Sequence, residues 1–548
     1  MDSLISSPLY WEDHNIRNRL LALAKVWLQE CIETHERCSS IQSSKLPTRL
    51  LELGAPSAGE IRLVESCCLT SDATYMTLSH CWGKSNFLRL TAETQPDLRG
   101  GISTTILPRT FQDAIETAKY LGAKYLWIDS LCIIQDSKED WLRESQVMGD
   151  VYRNSTCNIA ATGSKDGHGG LFFGRSSKLV EPCVVESHWD DAPNGRWHIH
   201  QRMLEEQTLL HGPLLNRGWV VQERVLAPRV VHFASRQLYW ECHQHDCCET
   251  YPRGIPSVIT QTRDGLTSLK NSNPALSSDE FKGQTGTMLE EKAAIAWGKI
   301  ISTFSNCKLT QEGDKLVAVS GLAKATMKIF NSDYLAGLWR NELPVSLLWQ
   351  VKGARQSDGQ PSQRPLVFRA PSWSWASVEG QIEIIGPYCL KYPTPVRVLE
   401  AFAEPLGDDP TGQVKNGSIK LLGPLMTLST RGTETQAISA HSVTQDVYLN
   451  GKWGKADSFC LDVEQAYQTL HYLPLIPFGQ ELDFTTADCY LGLLLEPTHS
   501  KKGQFRRCGT LQVSASSHGL HGWKSIINET WHESEENRGD GKYVLTIV

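Results

Sequence analysis

LPRTFQDAIETAKYLGAKYLWIDSLCIIQ, residues 107–135, holds a helical and a strand pattern back to back. Thr110 with Asp113 three residues later is a helix-start pair. Phe111, Ile115, Ala118 and Leu121 then fall on one helical face, and Gly122 fits the stop. Tyr125-Leu-Trp-Ile128 follows as a second kind of element, a strand that ends at Asp129. Its Leu126-Trp-Ile128 run is apolar on both faces, as an internal parallel strand requires.

The same alternation extends outward. Tyr75–Ser79 reads as a strand ended by the polar, Gly-containing His80-Cys-Trp-Gly83. Ser137 with Asp140 starts another helix, with Trp141, Ser145, Met148 and Tyr152 on one side, and Cys157–Ala161 is a third strand. Strand–helix–strand–helix–strand implies parallel pairing through right-handed crossovers. Residues 168–175 (HGGLFFGR) read as a turn-rich connection, 214–226 as a helix closed by Pro228, and 229–233 with 237–242 as a hairpin. Upstream, 18–34 has the spacing of an amphipathic helix, and SSKLPTRLLEL reads as a link into a turn-rich stretch ending near Asp72.

Residues 260–285 are polar and Ser/Asn/Gly-rich, and helical spacing returns at 286–305 and 314–330. From about 370 the pattern turns to strands, among them Trp373-Ser-Trp-Ala, which would place both indoles on one face against the α/β domain. Asn416-Gly417 signals a tight turn before another strand, Ser418–Leu422. The predicted architecture is α/β: a mostly parallel sheet flanked by helices, with an N-terminal helical segment and a β-rich C-terminal domain. Its boundaries fall at 1–70, 71–250, 251–368 (a connecting region) and 369–548.

A chain of 548 residues needs more than one core, at roughly 100–200 residues per domain. The net charge of -7 argues against a general nucleic-acid binder, which needs a basic face for phosphates. No apolar run approaches the ~20 residues of a membrane span, and the first residues lack a basic and apolar leader pattern, so a cytoplasmic protein is expected. Sixteen cysteines without regular framing suit buried thiols better than a disulfide scaffold.

Five blocks resemble the heterokaryon-incompatibility (HET) family: YMTLSHCWG at 75–83, the 107–135 stretch, YRNSTCNIAA at 152–161, RGWVVQERVLAPRVVHFASRQLYWEC at 217–242 and RAPSWSWASVEG at 369–380. With AKVWLQECIETHERC near the start and GDKLVAVSGLAK in the middle, the resemblance covers most of 20–380. It implies an α/β domain whose family role is triggering cell death after non-self recognition. It further implies a remote similarity to TIR domains, of flavodoxin-like fold, some of which cleave NAD with a glutamate four residues after a tryptophan. Trp219 and Glu223 have that spacing.

The candidate catalytic residues are Glu223, Asp129 and Cys132. Ser79, His80, Trp82, Gly83, Arg217, Trp219 and Gln222 are the candidate substrate-binding residues. Ligands of open parallel sheets sit beyond the carboxyl ends of the strands, where Ser79–Gly83 and Asp129–Cys132 lie. Glu223 could stabilise positive charge at a ribose carbon, or it could brace its helix through Arg217, Arg224 or Arg229. Asp129 could bind substrate or cap the loop behind it. Cys132 could be a nucleophile with His80 as base, or a small buried thiol. Cys31, His35 and Cys38 lie at i, i+4 and i+7, and Cys242, His243, His245, Cys247 and Cys248 form a second cluster. Neither has paired Cys-x-x-Cys spacing, so packing thiols and no metal are expected. No cofactor is expected, NAD entering only as a candidate substrate.

Three readings follow. One is a cell-death effector that cleaves NAD. The second is a non-catalytic module that self-associates or docks to a protein partner. The third is a metabolic enzyme acting on a small molecule on this scaffold. Intact NAD beside folded protein counts against the first, and a bound metabolite at the strand ends favours the third.

Overall fold

The computed structural model describes residues 16–39, 45–54, 59–70, 72–175, 180–181, 183–187, 195–199, 209, 211–256, 270, 286–352, 362–385, 392–430, 441–442, 446–449, 452–463, 470–478, 489–514, 536–537 and 543–548. The polar stretch expected at 260–285 lies outside these apart from Lys270. The chain divides into two compact units, Met1–Gly283 and Gln284–Val548.

The first unit is built around a nine-stranded sheet, with a separate two-stranded one, Cys183–Ser187 and Gly195–Ile199. Its elements are α1 (Ile16–Thr34), β1 (Arg49–Leu53), β2 (Glu60–Glu65), β3 (Tyr75–Ser79), β4 (Ile102–Ser103), α2 (Arg109–Tyr120), β5 (Tyr125–Ile128), α3 (Lys138–Arg153), β6 (Asn158–Ala160), α4 (Gly218–Leu226), β7 (Arg229–Phe233), β8 (Leu238–Cys242) and β9 (Asp246–Cys248). The strand order is β9-β8-β7-β6-β3-β5-β1-β2-β4. Pairs β3–β5, β3–β6 and β6–β7 are parallel. The outer pairs, β5–β1, β1–β2, β2–β4, β7–β8 and β8–β9, are antiparallel. The expected mostly parallel sheet is therefore a mixed one: a parallel centre flanked by hairpins.

The centre forms for the reason read from the sequence. Every residue of β3, β5, β6 and β7 is buried, so these strands need layers on both faces. Ser137 caps α3, its hydroxyl accepting from the Asp140 amide at 3.2 Å. The β1–β2 hairpin is a correction, since that stretch reads as a linker. Arg49 fastens it: its guanidinium donates to the Cys132 carbonyl (2.8 Å) and to Asp140 (2.5 Å), both ends buried.

The second unit opens with helices Gly286–Ser305 and Ser320–Phe330. Beyond them the strands Gln504–Ser514, Cys489–Pro497, Leu470–Phe478, Met426–Thr430, Asp446–Leu449 and Lys452–Leu461 pair in that order, and the last pairs back on the first. Six strands thus close into a ring, which removes free edges. Its filling includes Leu428, Leu449, Phe459, Tyr472, Tyr490 and Leu511, all buried.

Two readings change here. Trp373-Ser-Trp375 is not a strand: Ser374 caps a single 3-10 turn, Trp375–Ser377. The named partners of Trp375 belong to its own unit. Its indole donates to the Gly337 carbonyl at 3.0 Å, and Phe304 packs edge-on to it. Asn416-Gly417 is not a turn but lies inside strand Val414–Gly423, paired with Glu404 and Ala403. Glycine is needed there because a Cβ would meet the Phe402 carbonyl at 2.8 Å and the Trp373 ring at 3.1 Å.

Candidate functional site

β3 is where the parallel strand order reverses, with β5 on one side and β6 on the other. Crevices of open sheets form at such a point, beyond the carboxyl ends of the strands. Ser79 ends β3, and Asp129 follows β5 directly. α4 brings Glu223 onto Ser79, and the turn that follows β3 reaches Asp129 through Trp82.

A hydrogen-bond relay runs across the strand ends. The Thr77 hydroxyl donates to Asn158 Oδ1 (3.0 Å), and Asn158 Nδ2 donates to Ser79 Oγ (2.9 Å). Ser79 in turn donates to Glu223 Oε2. The Tyr152 hydroxyl also bonds the Glu223 carboxyl. Glu223 is 5% exposed. Burial pushes its carboxyl up to about 7, against the hydrogen bond from Ser79 and the nearby Arg217 charge, which favour the ionised form. Its bonds come from hydroxyls, and Arg217 itself is held at the N-terminus of α4 by the His80 carbonyl. Arg229 is engaged elsewhere, with Cys31 and the carbonyls of Thr156 and Cys38.

Asp129 is partly exposed and accepts from the Trp82 indole at 2.9 Å and from the Ser130 amide at 2.6 Å. It is therefore both loop cap and lining group. His80 is buried, with Nδ1 3.7 Å from Asp129 Oδ1 and Phe111 edge-on at 4.8 Å. Burial lowers its imidazole to about 4, so it is neutral at ordinary pH. Neither ring nitrogen has a hydrogen-bond partner among the described residues, so Cys132 has no base on it. Burial pushes the Cys132 thiol up to about 12, which keeps it a weak nucleophile.

Trp82 packs edge-on to Phe87, with the Arg89 guanidinium 5.0 Å over its ring. Gly83 turns the chain at φ +67°, where a Cβ would stand 2.5 Å from Asp166 Cβ. Trp219 is half-buried on the first turn of α4, and Gln222 is buried beside Glu223. Sequence reasoning missed Asn158 and Tyr152 as site members. An asparagine inside a strand buried on both faces was the available signal, since a buried amide demands partners.

In the Gly-rich 168–175 loop two backbone amides already have side-chain partners. The Gly170 amide donates to Thr110 (3.1 Å) and the Leu171 amide to Asp113 (2.9 Å), so the fold already uses both. In the second unit, a separate groove of about 840 Å³ is lined by Arg364, Phe368, Glu400, Lys420 and Arg506 among others.

Residues 75–223 match the family model described as heterokaryon incompatibility protein (HET). Comparison with curated proteins and with solved structures returns no match. No helix among the described residues is long and apolar enough to cross a membrane.

Proposed function

From the premise that this is a HET-domain protein, matched over residues 75–223, we propose that it serves non-self recognition and programmed cell death by cleaving NAD at Glu223. The observation that carries the reading is the Glu223 carboxyl itself. It is buried at the switch point of the sheet and bonded by hydroxyls, and burial raises it to about 7. A carboxyl so placed is half ionised near neutral pH, whereas a purely structural one gains most from a cation.

In this reading the bond from the ribose C1′ to the nicotinamide nitrogen breaks. The electron pair returns to the pyridinium ring, which leaves neutral. The Glu223 carboxylate faces the positive charge that develops at C1′, a charge that a dry site stabilises better than water does. Water then adds to C1′ and gives up a proton. Ser79, held by Asn158, orients the carboxylate. Asp129, partly exposed, takes ribose hydroxyls, and Trp82 and Trp219 supply apolar walls.

The test is product analysis. Purified full-length protein and NAD should give nicotinamide and ADP-ribose, and Glu223→Gln should abolish both products with the fold intact. A second reading, a non-catalytic docking or self-association module, is favoured by one observation: Glu223 is only 5% exposed. Folded wild-type protein that leaves NAD intact selects it.

A further inference from the structure

We propose that Cys31, His35, Cys38 and Cys242 form a structural zinc site that fastens the end of α1 to the end of β8. Their ligand atoms all lie within 4.8 Å of one another, and all four residues are buried. Cys242 Sγ stands 3.3 Å from His35 Nδ1, though the two residues are 207 apart in sequence. A tetrahedral zinc with Zn–S of about 2.3 Å and Zn–N of about 2.0 Å sets its ligand atoms roughly 3.5–3.8 Å apart. To reach that geometry the widest pairs must close while Cys242 and His35 open slightly.

The helix supplies three ligands by its period. Cys31 lies in the last turn of α1, His35 follows the helix, and Cys38 lies in the short helix Glu36–Ser39. The Cys38 amide donates to the His35 carbonyl at 3.0 Å and the His35 amide to the Cys31 carbonyl at 3.3 Å, which keeps the three on one side. Cys242 closes the set from the sheet.

The surroundings are those of thiolates. The Arg229 guanidinium donates to Cys31 Sγ at 3.1 Å, and the His245 amide donates to Cys242 Sγ at 3.2 Å. N–H donors aimed at ligand sulfurs are the usual outer shell of a zinc–thiolate centre. The His245 carbonyl stands 3.3 Å from the same sulfur, a contact suited to a thiol, so the two states compete for Cys242. Three thiolates and a neutral imidazole around Zn²⁺ carry one net negative charge, and the buried Arg229 offsets it. Four protein ligands leave no open position, so the ion would hold structure rather than activate water.

The experiment is metal analysis of full-length protein produced with zinc present. The result expected is one zinc per chain. Replacing it with Co²⁺ should give the thiolate-to-cobalt charge-transfer band and the intense visible bands of a tetrahedral site. Cys38→Ser and Cys242→Ser should each lose the metal, while Cys68→Ser, at an exposed cysteine, should keep it. Cys242→His, which retains a ligand, should recover zinc and guards against variants that merely fail to fold. Wild-type protein without zinc and without a cobalt spectrum would overturn the site, as would a disulfide between any two of the three cysteines. Zinc retained in both serine variants would place the ion elsewhere and also overturn it.

Discussion

Each unit buries a charged residue against its sheet and treats it differently. In the second, Arg507 is fully buried with an acceptor at each guanidinium nitrogen. It pairs with Asp462, donates to the Leu347 and Trp349 carbonyls, and lies 3.4 Å over the Trp349 ring. In the first, Glu223 is also buried but is bonded by the hydroxyls of Ser79 and Tyr152. Its neighbour in sequence makes the contrast sharper. Arg224 pairs in bidentate fashion with Glu241, which also accepts from His232, and Arg224 and His232 hold that carboxyl well below the usual range against the cost of burial. Arg224 and Arg507 are each neutralised by a carboxylate. Glu223 is instead held near the point of ionising, as the proposed catalytic role requires.

The largest effect should come from Asp462→Ala. It leaves Arg507 buried without its carboxylate, and denaturation of the protein should show a loss of about 3–5 kcal/mol in the second unit. A loss below ~1 kcal/mol would mean that the carbonyls suffice, and would break the contrast.

Glu223→Gln should act the other way. The folded carboxyl titrates at about 7, above its ordinary 4.5, so the fold favours the protonated form. The stability this contributes is fully present below about pH 4.5 and is lost as pH rises through 7. Gln mimics the protonated carboxyl, so at pH 8 the variant should exceed wild type by up to about 3 kcal/mol, with no gain at pH 4. Melting curves at both pH values check this. A variant destabilised at pH 8 would make Glu223 a brace after all.

Glu241→Gln should be destabilising at neutral pH by roughly 1.5–3 kcal/mol, the worth of hydrogen bonds to charged groups. The smallest effect is expected of Ser79→Ala, near 1 kcal/mol. It also removes a bond that favours the carboxylate, so the Glu223 titration followed by NMR should move above 7.

The parallel centre was legible because YLWI is a continuous apolar run and the helix between it and YMTLS has a clear period, signals that are local, although Thr110 does not cap that helix: Pro108 precedes it and the Thr110 hydroxyl donates to the Asp166 carbonyl. The β1–β2 hairpin was not. RLLEL is short, and its role depends on Arg49 reaching Asp140, 91 residues away. Trp373-Ser-Trp375 misled because tryptophan favours strands, while the capping hydroxyl of Ser374 decides the backbone. Within the site, the sequence could name Ser79, Asp129 and Glu223 but not how they connect. Asn158, which joins Ser79 to the relay, sits in a strand whose neighbour in the sheet is fixed only by the fold. Cys242 was hidden the same way from Cys31, His35 and Cys38.

The most direct test of the poised carboxyl is the rate of nicotinamide release from NAD by full-length protein, measured between pH 5 and 9. The account predicts a rise with pH with its midpoint near 7, absent in Glu223→Gln. NAD left intact across that range by folded protein, or the same profile in the variant, would contradict it.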